Sequence, residues 1–232
     1  QKDSPGMIGT NVESLVVEMQ TPSANWRPVK SQYDLDPAEP WFNTGFVSLD
    51  DLPNHADLVE GKWPEVSTDP NVPVQVAIHE NTADAIFVNV GDVFRFKELQ
   101  IEIVGIWKPT DIHDTYWFND PNSAYNILMW VPVETYKARL GKYFNRPVFF
   151  ASWYVIMDEA DLRFDRAAEY ARGMVRMDFS LKDRLPSIKT DYTPIDSLNQ
   201  YQKRAESLTT FFYAVGAPMV VLALLFISLT AN

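Results

Sequence analysis

From Leu208 to Leu229 the sequence reads LTTFFYAVGAPMVVLALLFISL, twenty-two residues without a charge. As a helix rising about 1.5 Å per residue this run would measure about 33 Å, and the hydrocarbon core of a bilayer is about 30 Å thick. Gly216 and Pro218 fall inside it, and membrane-spanning helices tolerate both. A buried helix of a water-soluble protein rarely runs so long without a polar face. The segment therefore reads as a membrane span, and the 207 residues before it read as a folded domain held at a membrane.

The two ends suggest a piece cut from a longer polytopic protein. Gln1 is not an initiator methionine, no secretory signal opens the chain, and no basic cluster follows the apolar run before Asn232. A mature single-pass protein with a C-terminal anchor is the rival expectation. No charged side chain follows Glu206, so the whole formal charge of −11 belongs to the preceding domain. So acidic a balance argues against nucleic acid as a partner and against docking on anionic lipid headgroups. The chain as a whole is 46% hydrophobic and 13% aromatic, and its 207 residues before the span suffice for one sizeable core or two modest ones. Absence of cysteine removes disulfides, thiolate metal sites and thiol nucleophiles. Lys189, Lys203 and Arg204 lie close to the start of the span, but orientation needs the opposite flank as well.

Local patterns predict an α+β class. Val12–Met19 alternates as a strand. Pro22, Pro28, Pro37 and Pro40 mark a loop-rich region whose aromatics (Trp26, Tyr33, Trp41, Phe42) would pin it to a core. A short strand at Phe46–Leu49, a helical turn at Asn54–Glu60 stopped by Gly61, a strand at Val74–Ile78 and a helix at Glu80–Phe87 follow. Asn89-Val90-Gly91-Asp92 forms a turn in which glycine supplies positive φ. Val93–Phe96 and Leu99–Ile106 form a hairpin across Lys97-Glu98, with Leu99, Ile101 and Ile103 on the buried face and Gln100 and Glu102 opposite. Beyond a loop from Lys108 to Ser123 come a strand at Tyr125–Val131, a helix at Glu134–Leu140 ending at Gly141, and a strand at Val148–Met157. Asp161–Met177 is an amphipathic helix with Phe164, Ala167, Ala168, Ala171, Met174 and Val175 on its apolar face.

Before the apolar run, Leu198, Tyr201, Ala205, Leu208 and Phe212 are spaced three, four, three and four apart, the rhythm of a coiled-coil seam. One unbroken helix from about Pro194 into the bilayer is expected. Either it is a stalk coupling the domain to the span, or it packs on its own domain before inserting. The expected division is residues 1–193 as the domain, 194–207 as the stalk and 208–232 as the span.

Signatures of chemistry are few. No Walker-type G-x-x-x-x-G-K-[ST], G-x-G-x-x-G, G-x-S-x-G or H-E-x-x-H sequence is present; Gly61-Lys62 and Gly141-Lys142 lack the upstream glycine. His55 with Asp57, and His113 with Asp111 and Asp114, lack the spacing of a zinc site and read as polar loop residues. Nothing among the 31 acidic residues singles out a pair for glycoside hydrolysis. The expectation is a non-enzyme without metal or cofactor.

The unusual segment is VGIWKPTDIHDTYWFNDP, Val104–Pro121, which gathers Trp107, Tyr116, Trp117 and Phe118 beside Asp114. Exposed, these residues would make an interaction surface; buried, they would staple the loop to the core.

Several ordered features resemble the periplasmic core domain of MacB-type and FtsX-like ABC transporter permeases. They are Val59-Glu60-Gly61-Lys62-Trp63-Pro64, the strand and helix Val76–Phe87, Val90-Gly91-Asp92, Val104-Gly105-Ile106-Trp107, Asp114-Thr115-Tyr116-Trp117-Phe118, and the closing apolar helix. The resemblance covers most of the chain; each motif is weak alone, and their order carries it. It implies a MacB-like extracytoplasmic domain of α+β fold, with subdomains possible, on a stalk leading into the second of four spans. It also implies a cell (inner) membrane location with residues 1–207 extracytoplasmic, and a cytoplasmic ATPase, separate or fused, that binds the ATP. A second permease copy or paralogue, and mechanical relay through the stalk to move an amphipathic lipid, lipoprotein, peptide or drug or to regulate an envelope partner, follow from the same resemblance. Trp26–Phe42 matches no pattern of that family and is expected to contact substrate or a partner. A membrane-anchored ligand-binding or sensor domain acting alone is the alternative.

Overall fold

The computed structural model describes residues 9–33, 35–190 and 193–230, with only the backbone described at residues 159, 164, 229 and 230. Gln1 and Asn232 lie outside the described residues, as do the side chains of Phe164 and Leu229. The chain divides into two compact units. One is Ser14–Ile156; the other combines Gln1–Glu13 with Met157–Asn232.

The Ser14–Ile156 unit is built on a nine-stranded sheet. Its elements are β1 (Val12–Gln20), β2 (Ala24–Lys30), β3 (Phe42–Leu49), α1 (Leu52–His55), β4 (Ala56–Gly61), β5 (Val74–His79), α2 (Glu80–Ile86), β6 (Val93–Phe96) and β7 (Leu99–Pro109). They continue through α3 (Pro121–Ala124), β8 (Leu128–Trp130), α4 (Val133–Thr135, running into a π-helical turn at Tyr136–Leu140) and β9 (Phe150–Met157). Hydrogen bonding runs β2-β6-β7-β5-β8-β3, and β2 pairs again with β3, so six strands close on themselves. β1 and β9 extend the sheet from β3, and β4 pairs with β7. The β3–β8 and β5–β7 pairs are parallel.

Closure depends on β3 changing partners along its length. Phe42–Thr44 face β2, whereas Gly45–Val47 pair with β8. At the switch, a Cβ on Gly45 would sit 2.9 Å from the Thr21 carbonyl oxygen, so the β1–β2 connection can cross only over glycine. Thr21 then fastens that crossing: its Oγ1 accepts the Phe46 amide at 2.9 Å.

Two apolar clusters result. The first gathers Trp26, Phe46, Val76, Ile78, Phe94, Ile101, Ile103 and Met129. Trp26 is anchored by its Nε1 donating to the Thr44 carbonyl at 3.0 Å, with Phe46 edge-on at 5.5 Å. Burying such an indole contributes about 5 kcal/mol of gross transfer energy. The Pro22–Pro40 stretch is therefore less loop-like than expected. Ala24–Lys30 is a strand, and Pro28 is accommodated where its pairing with β6 is irregular. The second cluster holds Val16, Leu49, Leu52, Ala77, Trp107, Tyr116, Trp117, Tyr125 and Trp130.

Three further local differences have clear causes. Of the expected 54–60 turn only Asn54 and His55 are helical, closing the short helix Leu52–His55, because Ala56–Gly61 pairs with β7 instead. Gly141 takes helical φ and ψ, so the preceding helix ends in a π turn and not at a left-handed glycine. The strand expected at Tyr125–Val131 shrinks to Leu128–Trp130, because Tyr125 instead caps α3, its amide bonding the Pro121 carbonyl.

In the other unit, α5 (Ala167–Arg184) starts later than its amphipathic pattern suggests, since Phe164–Arg166 forms a 3-10 turn. Ala167, Tyr170, Ala171, Gly173 and Met174 are its buried positions; Val175 is exposed. α6 (Ile195–Thr230) is one continuous helix of 36 residues packed against α5.

Candidate functional site

The segment after β7 wraps onto the second cluster. A bulge between β5 and β7, where Val76 faces Ile103 but Ala77 faces Gly105, shifts the parity of β7. Ile106 thereby joins the first cluster and Trp107 joins the second. Trp107 is 1% exposed, Tyr116 4% and Trp117 8%, while Phe118 is 42% exposed. Trp117 stacks parallel to Trp107 at 6.2 Å and donates its Nε1 to the Asp111 carbonyl at 2.9 Å. Tyr116 donates its hydroxyl to the Asp50 carbonyl at 2.6 Å, and burial pushes that phenol far above its usual range. Phe118, the exposed member, stacks on Tyr154 at 4.6 Å.

Asp114 organises the loop. Its Oδ1 accepts the Tyr116 amide at 2.9 Å, and its Oδ2 lies 2.7 Å from His55 Nδ1. The His55 ring lies flat on Tyr116 at 3.7 Å, with Asp51 3.6 Å from its other nitrogen. Partial burial works against ionisation of Asp114, but the Tyr116 amide and the His55 ring outweigh it and hold the carboxyl below the usual range. Of the expected residues, Trp107, Tyr116 and Trp117 thus staple the loop to its own core, and Phe118 is the one left on the surface. Among the described residues no group of three histidine, aspartate or glutamate side chains converges as metal ligands would.

Sequence patterning missed one polar centre in the same unit. Glu18 is 3% exposed, and among the described residues its hydrogen-bond partners are all neutral. Its carboxylate accepts from the hydroxyls of Tyr154, Tyr125 (3.3 Å) and Ser152 (3.4 Å) and from the Gln20 amide. Burial, with the Glu18 carboxylate beside them, raises both tyrosines well above their usual range, so they remain protonated donors. The available signal was its parity with Val16, the most buried apolar residue of β1. Deeper still, His79 is fully buried and its pKa is lowered by burial. Its Nδ1 accepts the Asn81 amide at 3.1 Å and caps α2, and the Glu80 charge and the Asn122 side chain work against that lowering.

The stalk positions belong to the other unit. Ile195, Leu198, Gln202 and Ala205 are the half-buried positions of the first turns of α6, spaced three, four and three apart. Leu198 and Ala205 of the expected seam lie on this covered face; Tyr201, Leu208 and Phe212 are exposed. A groove against the start of α5 is lined by Asp165, Ala167 and Ala168 on one side and Tyr201, Gln202 and Ala205 on the other. From Ile195 to Ser228 the helix is long and apolar enough to cross a membrane, and the most apolar part of it is unburied.

No family model and no curated protein matches the sequence. Among solved structures, the chain is similar to the periplasmic region of MacB from Actinobacillus actinomycetemcomitans. Identity is 13%, covering 82% of this chain and 83% of that one, with a TM-score of 0.38. It is also similar to the extracellular domain of the noncanonic ABC-type transporter YknZ from Gram-positive bacteria, at 14% identity, covering 79% and 82%, with a TM-score of 0.40. Likeness at that level leaves function to be argued from the chain's own residues.

Proposed function

We propose that this chain is the extracytoplasmic part of an ABC transporter permease subunit, non-catalytic itself, which relays ATP-driven movement across the membrane. The observation that supports this most directly is α6. One helix is polar and packed on α5 over its first three turns, then uncharged and apolar to its end. A rigid rod with one end in a folded unit and the other in lipid converts tilt or rotation in the membrane into displacement outside it. The resemblance of the ordered motifs, from Val59–Pro64 to Phe118, adds the class of machine.

On this reading the partners are a cytoplasmic ATPase and a second permease copy, and the location is the cell membrane with residues 1–207 outside. The cargo is amphipathic, or the moving part is an envelope protein. The staple at Trp107, Tyr116 and Trp117 holds a loop in place, and Phe118 is the part of it that a partner can reach.

The test is a break in the rod. Proline at Leu198 or Ala205 removes a helical hydrogen bond and kinks the axis. In the full-length protein with its ATPase, Leu198→Pro and Ala205→Pro are expected to leave ATP hydrolysis within about twofold, since the ATPase is untouched. They should abolish the nucleotide-driven change in distance between spin labels at exposed Val66 in paired copies. Leu198→Ala, which keeps the helix, should retain that change. An undiminished distance change in the proline variants would overturn the relay. A full-length sequence with a single hydropathy peak would overturn the permease reading and leave a membrane-anchored sensor.

A further inference from the structure

The face of α6 that turns away from α5 ends in a pair of cations. Gln200, Lys203, Arg204, Ser207 and Leu208 line one shallow groove, the i, i+3, i+4, i+7, i+8 spacing of a single helical face. It lies opposite the covered positions Leu198, Gln202 and Ala205. Among the described residues neither Lys203 nor Arg204 forms an ion pair. Glu206, three residues on from Lys203, is turned toward the covered face and accepts from the Gln202 amide at 2.8 Å. Asp196 shares the basic face but lies two turns further from the apolar run, about 10 Å along the axis.

The next turn is apolar. The hydroxyls between charge and lipid are satisfied internally: Ser207, Thr209 and Thr210 each donate to the carbonyl four residues back, at 2.8, 2.9 and 2.9 Å. Lys203 and Arg204 therefore stand about one turn above the point where α6 becomes compatible with hydrocarbon, at headgroup depth.

We propose that this face binds the phosphodiester of an anionic glycerophospholipid in the leaflet nearer the folded units. Lys203 and Arg204 hold the phosphate, the Gln200 amide donates to the headgroup, and the acyl chains run down past Leu208. The inference rests on α6 spanning the membrane, as proposed above. Two unpaired cations select a headgroup with net negative charge over a zwitterionic one, whose own cation they repel. The acidic total, which argues against headgroup docking for the chain as a whole, is outweighed at this face, because charge beyond about 10 Å is screened at physiological salt.

The test places a single bimane label in the cysteine-free chain, at Val215→Cys, on the same face eleven residues below Arg204. The labelled chain is reconstituted in phosphatidylcholine vesicles containing about one tenth brominated-chain phosphatidylglycerol or, separately, brominated-chain phosphatidylcholine. Each basic residue near an anionic lipid changes association by about fivefold. Quenching is therefore expected to favour phosphatidylglycerol by about fivefold or more, and to fall to parity in Lys203→Gln/Arg204→Gln. Arg95→Gln/Lys108→Gln, which removes two exposed charges from the Ser14–Ile156 unit, should keep the preference. Equal quenching by both lipids in the parent chain overturns the lipid site while upholding insertion. Absence of quenching by either overturns the span itself, and with it the permease reading. A preference that survives Lys203→Gln/Arg204→Gln assigns the selectivity elsewhere and overturns the proposal.

Discussion

Asp92 shows how one side chain can fix several stretches of chain. It is buried, and its carboxylate accepts the Gln32 amide at 3.1 Å and the Asn89 amide at 2.9 Å. Gly91, at φ 92, turns its own amide onto the Ile103 carbonyl at 2.7 Å. The Val90-Gly91-Asp92 triplet is thus a clasp between the β2–β3 connection and the β6–β7 hairpin. Asp92→Ala would leave two amides without an acceptor and is expected to cost about 2–3 kcal/mol, read as a lower urea midpoint at unchanged slope. Asp114 gives a pH-dependent counterpart. Its folded pKa lies below the ordinary value of about 3.9, so it contributes stability above that value and loses it as pH falls through the folded pKa. The side chain is about one-third exposed, which screens the gain to under about 1 kcal/mol. Relative to Asp114→Asn, the parent chain should be the more stable at pH 6, and the difference should narrow as pH falls below about 3.9. A gap that stays constant over this range would refute the assignment.

Among the elements, the β4–β7 pair depends on two glycines facing one another. Gly61 and Gly105 are paired in register, and a Cβ on Gly61 would collide with the Val104 carbonyl while one on Gly105 would collide with that of Lys62. Gly61 also holds φ 80. This is the physical content of the Gly61-Lys62-Trp63-Pro64 turn, which brings Trp63 edge-on to Trp130 at 5.5 Å. Gly61→Ala and Gly105→Ala should each destabilise by about 2 kcal/mol or more, measurable by urea titration; a shift under about 0.5 kcal/mol would show that the strands can separate at no cost. These elements also show where sequence reading succeeds. The β6–β7 hairpin, with Leu99, Ile101 and Ile103 inside, was legible because local alternation and a two-residue turn determine it. So was the unbroken α6, from length and apolarity. β2 and β4 were not, since their strand state comes from partners distant in sequence, β6 and β7. Trp107 was placed on the wrong side of simple alternation by a bulge that no local pattern announces. The buried Glu18 was hidden by the opposite parity of Leu15, Val17 and Met19.

For the whole molecule, the two units differ in kind. Both apolar clusters, with the partly buried residues packed on them, fall between residues 16 and 156, within the Ser14–Ile156 unit. The other unit is helical over most of its described length and leads into the apolar half of α6. The proposed relay would need one part that keeps its shape and one that carries the displacement, and a closed sheet has the rigidity the first requires. A closed ring of six strands with a filled interior can be displaced without deforming, because packed cores are not continuously compressible. The chain's seven tryptophans (26, 41, 63, 107, 117, 130 and 153) all lie within this unit, so intrinsic fluorescence reports on it alone. Expressed without the remaining residues, Ser14–Ile156 is expected to fold by itself. It should unfold in urea as a single cooperative transition with a slope of about 1–3 kcal/mol per molar, and tryptophan fluorescence and far-ultraviolet circular dichroism should give coincident midpoints. A gradual, non-coincident transition would mean that the sheet borrows its stability from the helical unit, and a domain that cannot hold its own shape could not serve as the rigid end of the relay.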